Sequence, residues 1–170
     1  MATTMASGGG VSVTIKPPNF AVAHFEIRGI APLVIHRFSQ KTKMEMLLKQ
    51  ETGKASSSKK TREPQSTDDT FNAARYISKD GWDGFNASAI RAAMISACRL
   101  VGFKMTLAKM SLFVEPDGWD AVETQIPLVR IYGQPVKQED MARVETGQPY
   151  VTIRAAYHDW TANVSIRWDA

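Results

Sequence analysis

The residues of this sequence that could do chemistry are cations gathered between His36 and Gln65. This stretch contains eight lysines and arginines and three glutamates, whereas the rest of the chain contains thirteen cations and fourteen acids. The net charge of +4 therefore comes from one segment of an otherwise neutral protein. Localised positive charge is typical of proteins that bind a polyanion. The alternative interpretation is a solvated loop whose charge keeps the protein soluble.

Aromatic residues stand beside several cations. Phe38 follows Arg37, and Tyr76 follows Arg75, while Trp82 lies in a glycine-flanked turn. Cations neutralise phosphates while aromatic rings stack unpaired bases, at about 1–3 kcal/mol per base. For Trp82 a purely structural role is an equally good interpretation. The residues predicted to contact nucleic acid are Arg37, Lys41, Lys43, Lys54, Lys59, Lys60, Arg62, Trp82, Arg91 and Arg99.

The sequence lacks the familiar motifs of catalysis and of cofactor binding. It has neither a glycine-rich phosphate loop nor a dinucleotide-binding fingerprint. Its three histidines, His24, His36 and His158, lack the spacing of metal ligands, and a single cysteine, Cys98, cannot form a zinc cluster or an intramolecular disulfide. We therefore predict a binding protein, not an enzyme, without metal or cofactor.

The segments that must position these residues predict an α+β fold with an antiparallel sheet, one short helix and one long helix. Residues 1–10 are predicted to be disordered and residues 11–170 to form one domain. Alternation of apolar residues predicts strands at Val11–Ile15, Phe20–Ile27, Gly29–Phe38, Phe71–Ser78, Lys104–Val114, Ala121–Ile131, Tyr150–Tyr157 and Thr161–Trp168. Phe20–Ile27, apolar on both faces, is predicted to be central, and the last two strands to pair as a hairpin.

Two helices and two loops complete this prediction. Ser39 can cap a short helix over Gln40–Gln50. Lysines in its first turn have the wrong charge for the helix dipole, so either the helix starts later or they serve an external anion. The long helix is expected over Ala87–Val101, ended by Gly102. A long flexible basic loop is predicted at Thr52–Asp69, and another loop at Gly133–Gly147.

Two resemblances extend this interpretation. The stretch Gly84–Met94 resembles the helix start of RAMP proteins, with Ser88 and Arg91 matching, although Asn86 and Ala92 replace the usual proline and glycine. That resemblance implies a ferredoxin-like, RRM-like core and repeating subunits that bind single-stranded RNA, as in the backbone of CRISPR effector complexes. The segments IRGIAPLVIHRFSQK, TREPQ, FNASAIRAAMISACR and KMTLAK are similar to an uncharacterised family of tailed-phage proteins, which implies a bacteriophage origin.

The leading hypothesis is a phage protein that binds single-stranded DNA or RNA and assembles side by side with copies of itself. The segment from Arg37 to Arg62 would cover the strand. No apolar run approaches the roughly 18 residues of a membrane span, and the N-terminus does not resemble a secretory signal. We therefore expect no membrane partner and a location in the cytoplasm of the infected bacterium. The alternatives are a virion structural or assembly protein, or an anti-defence protein that binds a host complex.

Overall fold

The computed structural model describes residues 4–6, 12–14, 17–53, 66–143, 147 and 149–169. Over these residues the chain is a mixed α+β protein with four helices, and the predicted fold class is confirmed at that level. The helices are α1 (Gln40–Thr52), α2 (Thr67–Ala73), α3 (Ala87–Ala97) and α4 (Met105–Ser111). Within the described part, every helix is too short or too polar to span a bilayer.

Over the described residues the strands form four small, mostly antiparallel sheets. In chain order they are β1 (Thr4–Ala6), β2 (Ser12–Thr14), β3 (Phe20–Arg28), β4 (Leu33–Ile35), β5 (Tyr76–Ile77), β6 (Asp83–Asn86), β7 (Leu112–Glu115), β8 (Gly118–Trp119), β9 (Pro127–Arg130), β10 (Pro135–Arg143), β11 (Pro149–Tyr157) and β12 (Thr161–Asp169). The strand orders are β1-β2, β10-β11-β4, β3-β12-β7 and β5-β6-β9-β8. β1 thus lies within the ten residues that the sequence predicted to be disordered.

The chain divides into two compact units. The first comprises Met1–Phe25, Ser88–Glu115 and Val164–Ala170, and the second comprises Glu26–Ala87 and Pro116–Asn163. In the first unit the aromatic rings of Phe20 and Phe113 meet edge to face at 6.4 Å. The guanidinium of Arg167 lies over both rings. The second unit has a core of Ile35, Ile131, Ala155 and Tyr157, against which Phe71, Tyr76, Phe85 and Trp160 pack.

Helix α1 confirms its predicted start. The Ser39 hydroxyl accepts a hydrogen bond from the Thr42 N–H, and Gly53 ends the helix with a left-handed φ of 62°. The apolar side chains of α1 are not packed into a core, since none of the residues of this helix is buried. Met44 and Leu48 are among its exposed apolar side chains.

The region predicted as the strand Phe71–Ser78 begins with the end of a helix, so that prediction is wrong over its first part. Helix α2 occupies Thr67–Ala73, and only Tyr76–Ile77 is a strand. Ser66 caps α2, and two aspartates in its first turn complement the helix dipole, which outweighs the strand preference of Phe71. The last residues of the predicted loop Thr52–Asp69 are therefore helical, and residues 54–65 lie outside the described residues.

Two further predictions, around α3, are wrong in part. Helix α3 ends at Ala97, and a turn closed by Gly102, with φ of 68°, completes the segment predicted as a long helix. The next segment, Lys104–Val114, was predicted to carry a strand that ends at the turn after Glu115. That strand is present as β7, but α4 precedes it, because Met, Leu, Ala and Lys are strong helix formers.

The C-terminal strands form where predicted, but the hairpin between them is wrong. β11 pairs with β10 over nine residues and with β4, whereas β12 pairs with β7. The predicted loop Gly133–Gly147 contains β10, whose polar side chains are tolerated because it is an edge strand. β3 is likewise an edge strand, not a central one. Of Ala121–Ile131, only Pro127–Arg130 is a strand.

Candidate anion-binding cleft

The second unit contains an open cleft of about 430 Å³ lined by the first turns of α1 and α2. Its lining includes three cations, one carboxylate and several hydroxyl and amide groups. These residues are Arg37, Ser39, Gln40, Lys41, Ser66, Asp69, Thr70, Asn72, Ala73, Arg75, Ile77 and Val122. Two of the predicted binding residues, Arg37 and Lys41, therefore lie in one place.

Arg37 is a buried residue that lines the cleft. Its guanidinium donates to both oxygens of Asp120, at 3.2 and 2.5 Å, and lies 3.9 Å from Glu123. Arg37 is 7 % exposed and Asp120 is fully buried. The guanidinium also lies over the ring of Tyr76, at 5.2 Å. Its Nε–H is buried without a hydrogen-bond partner among the described residues. The charge predicted to bind nucleic acid is thus largely used inside the protein.

Glu123 supplies the negative charge that the first turn of α1 lacks. Its carboxylate accepts hydrogen bonds from the Lys43 ammonium, at 3.0 Å, and from the side chain of Gln40. The hydrogen bond from Lys43 lowers the pKa of Glu123, as do Gln40 and the charge of Arg37, against the raising effect of burial. The helix starts where predicted, so the lysines do lie in its first turn. Lys43 is neutralised internally, and Lys41 lines the cleft.

Arg75 is the second arginine that lines the cleft. Its guanidinium donates to both oxygens of Asp83, at 2.9 and 2.7 Å, and lies over the ring of Phe71. Burial lowers the pKa of Arg75, whereas the hydrogen bond to Asp83 and the charge of Asp83 raise it. The raising effects together are larger, so the pKa of Arg75 is raised. Burial, together with the charge of Asp83, raises the pKa of the nearby Tyr157 to about 12. Both groups therefore keep their protons at neutral pH.

The other predicted cations lie elsewhere. Arg91 donates to the backbone carbonyls of Leu112, at 2.8 Å, and Lys109, and so connects α3 to the end of α4 and the start of β7. Arg99 donates to the sulfur of Met105 at 3.2 Å, in the same unit. Lys54, Lys59, Lys60 and Arg62 lie outside the described residues.

Trp82 is a half-buried residue seated on glycine. A β-carbon at Gly84 or Gly118 would lie 3.1 or 2.8 Å from the indole ring, so only glycine leaves room for the ring. Arg130 lies 5.8 Å above the indole. This packing supports the structural interpretation of Trp82, and its predicted contact with a base stays a prediction.

Sequence reasoning missed the carboxylates that organise the cleft. Asp120 and Glu123 come from a segment about 80 residues after α1, and no local pattern links them to Arg37. Arg75 stands out in the sequence only as the neighbour of an aromatic residue. Its partner Asp83 lies eight residues later, across a turn, and this short spacing of opposite charges could have indicated the ion pair from the sequence.

The chemistry of the cleft is that of hydrogen-bond donors and cations. Within the part of the chain that the structure describes, histidine, cysteine and carboxylate side chains form no cluster able to hold a metal ion. No protein-family model matches the chain, and neither a curated protein nor a solved structure shows significant similarity to it.

Proposed function

We propose that the protein binds single-stranded nucleic acid through the cleft and the basic segment that joins it. The observation that carries this proposal is the place where that segment rejoins the described chain. Ser66 lines the cleft, and it directly follows the residues 54–65, which contain four cations and one acid. A phosphate chain in the cleft would contact a residue that follows Arg62, the last of these cations, by four positions.

The cleft and the segment have different parts in this proposal. Arg37 and Arg75 are already paired with carboxylates, so they contribute shape and hydrogen-bond donors more than net charge. The first turn of α1 lines the cleft with the positive end of a helix dipole. The excess charge comes from Lys54, Lys59, Lys60 and Arg62. Phosphate neutralisation by such cations releases counterions and makes affinity depend on salt.

Two features support the proposed assembly along a strand and the RRM-like core. The exposed Met44, Leu47 and Leu48 of α1 offer apolar surface for a neighbouring copy. In the sheet β3-β12-β7, the chain runs from β3 through α3 to β7 and then to β12. In space, β12 lies between β3 and β7. The first three strands of a ferredoxin-like fold have the same order in space. Within this proposal the protein works in the cytoplasm of a phage-infected bacterium.

The exposed face of α1 also favours a second function, that of a virion structural or assembly protein. Four large apolar side chains of this helix are 45–67 % exposed, namely Met44, Met46, Leu47 and Leu48. An apolar interface of this kind would bind a protein partner without releasing many counterions. Salt dependence therefore separates the two functions.

The test is the affinity of the protein for a labelled oligothymidylate and for a duplex of equal length, followed by fluorescence anisotropy over a salt series. We expect tighter binding to the single strand and a logarithmic affinity that falls linearly with the logarithm of salt concentration. Absence of binding at low salt, or equal affinity for the duplex, would contradict the proposal. Salt-independent self-association without binding to either oligonucleotide would instead favour the assembly function.

A further inference from the structure

We propose that Arg130 and the rings of Trp82 and Tyr132 form a second contact site for single-stranded nucleic acid, at which Arg130 binds a phosphate and Tyr132 stacks a base. The inference rests on the proposed function and adds residues that the charge pattern of the sequence did not indicate. Arg130 ends β9, on the same side of the sheet as Gly84 of β6, with which it is in register. We call the three residues Arg130, Trp82 and Tyr132 the Arg130 face.

The Arg130 guanidinium is held in place by aromatic rings. It lies 5.8 Å from the centre of the Trp82 ring and 5.0 Å from that of Tyr132. The ring of Trp82 packs against Gly84 and Gly118. Its backbone N–H donates to the Ser78 hydroxyl at 3.3 Å within a turn, which also fixes the residue. A guanidinium that lies over aromatic rings still has N–H groups at its edge that can donate to an anion. It loses little further side-chain freedom when those groups bind an anion.

Arg130 differs from the arginines of the cleft because its charge is not offset. Among the described residues, no carboxylate oxygen lies within 4.0 Å of its guanidinium, whereas Arg37 and Arg75 each have a bidentate partner. The carboxylate of Asp117 accepts the backbone N–H of Arg130 at 2.8 Å. The side chain of Arg130 is exposed, and Tyr132 is 45 % exposed.

The combination selects the class of ligand. An exposed cation alone would bind any anion, and an exposed ring alone would bind apolar surface. A cation fixed beside an accessible ring matches the alternation of phosphate and base along a single strand, in which every base has a face free to stack. In duplex DNA the bases are stacked on one another, so the ring of Tyr132 would add nothing there.

The test uses the full chain and a labelled oligothymidylate, with affinity measured by anisotropy at fixed salt. Arg130→Gln removes the charge, and Arg130→Lys keeps the charge but loses the planar stacked group. The matched control is Arg143→Gln, because Arg143 is also an exposed arginine of the second unit, at the end of β10. We expect a decrease of about tenfold in affinity for Arg130→Gln, as for a charged hydrogen bond, a smaller decrease for Arg130→Lys, and little change for Arg143→Gln.

The outcomes separate this inference from the function on which it rests. If the wild-type protein binds the oligonucleotide and Arg130→Gln weakens binding no more than Arg143→Gln, the Arg130 face is not a contact site, although the proposed function stands. If the wild type itself does not bind, the proposed function fails. If polyglutamate competes as well as unlabelled oligothymidylate, the face recognises acidic proteins and the inference is overturned. Circular dichroism of each variant checks that the fold is kept.

Discussion

An arginine has opposite surroundings in the cleft, at Arg37, and in the Arg130 face. Arg37 is buried, paired with Asp120 and close to Glu123. Arg130 is exposed, lies over two aromatic rings and has no carboxylate partner for its guanidinium among the described residues. Both arginines have a defined position, but the positive charge of only one of them is available at the surface.

This contrast separates arginines that hold the protein together from arginines that can hold a ligand. A buried ion pair adds little net stability by itself, yet removal of one partner leaves a charge in a low-dielectric interior. A stacked, exposed guanidinium leaves no such buried charge behind. Substitution of Arg130 should therefore change binding more than stability, and substitution at the Arg37 pair should do the reverse.

The largest effect is expected from Asp120→Ala. Because the guanidinium of Arg37 would remain buried without its partner, we expect a decrease of about 3–5 kcal/mol in the free energy of unfolding. Urea denaturation followed by circular dichroism measures it. The control is Asp80→Ala, since Asp80 is an exposed residue of the turn before Trp82. Equal stability of the two variants would show that Arg37 and Asp120 are not a structural pair.

A smaller effect is expected from Gly118→Ala. The added methyl group would lie 2.8 Å from the indole of Trp82 and displace the ring, at a cost of about 1–3 kcal/mol for overpacking. Displacement of the ring should also weaken oligonucleotide binding, although no charge is removed. In the Arg130→Gln background the same change should weaken binding little further. Additive decreases in the double variant would separate Trp82 from the action of Arg130.

The smallest effect is expected from Glu123→Gln, and it depends on pH. The Lys43 hydrogen bond lowers the pKa of Glu123 in the folded state, so the stabilisation is fully present above the unfolded value of about 4.3 and is lost as the pH falls through the folded value. We expect the difference in melting temperature between wild type and variant to be greatest near neutral pH and to shrink in acid. A difference that grows in acid would contradict the assignment.

The sequence predicted elements better than their partners. The cap at Ser39 and the strands at residues 150–157 and 161–168 are local signals, and all three are confirmed. The partners of those strands depend on register between distant segments, which alternation does not specify. The same reason explains which parts of the cleft could be predicted from the sequence. Arg37 and Lys41 were visible as part of a charge cluster, whereas the pairing of Arg37 with Asp120 joins residues 83 positions apart.

In the proposed function, a phosphate chain is bound by cations other than Arg37 and Arg75, which are paired with Asp120 and Asp83. The sharpest test is the salt dependence of oligothymidylate affinity for a variant with Lys59, Lys60 and Arg62 all replaced by glutamate, beside a control that reverses Lys79, Lys104 and Lys109. We expect weaker binding and a slope of log affinity against log salt that is shallower than the wild-type slope by about 2, because each phosphate that is no longer neutralised removes about 0.7. The control should keep the wild-type slope. An unchanged affinity and slope in the first variant would contradict the proposed function and leave the assembly function as the better explanation.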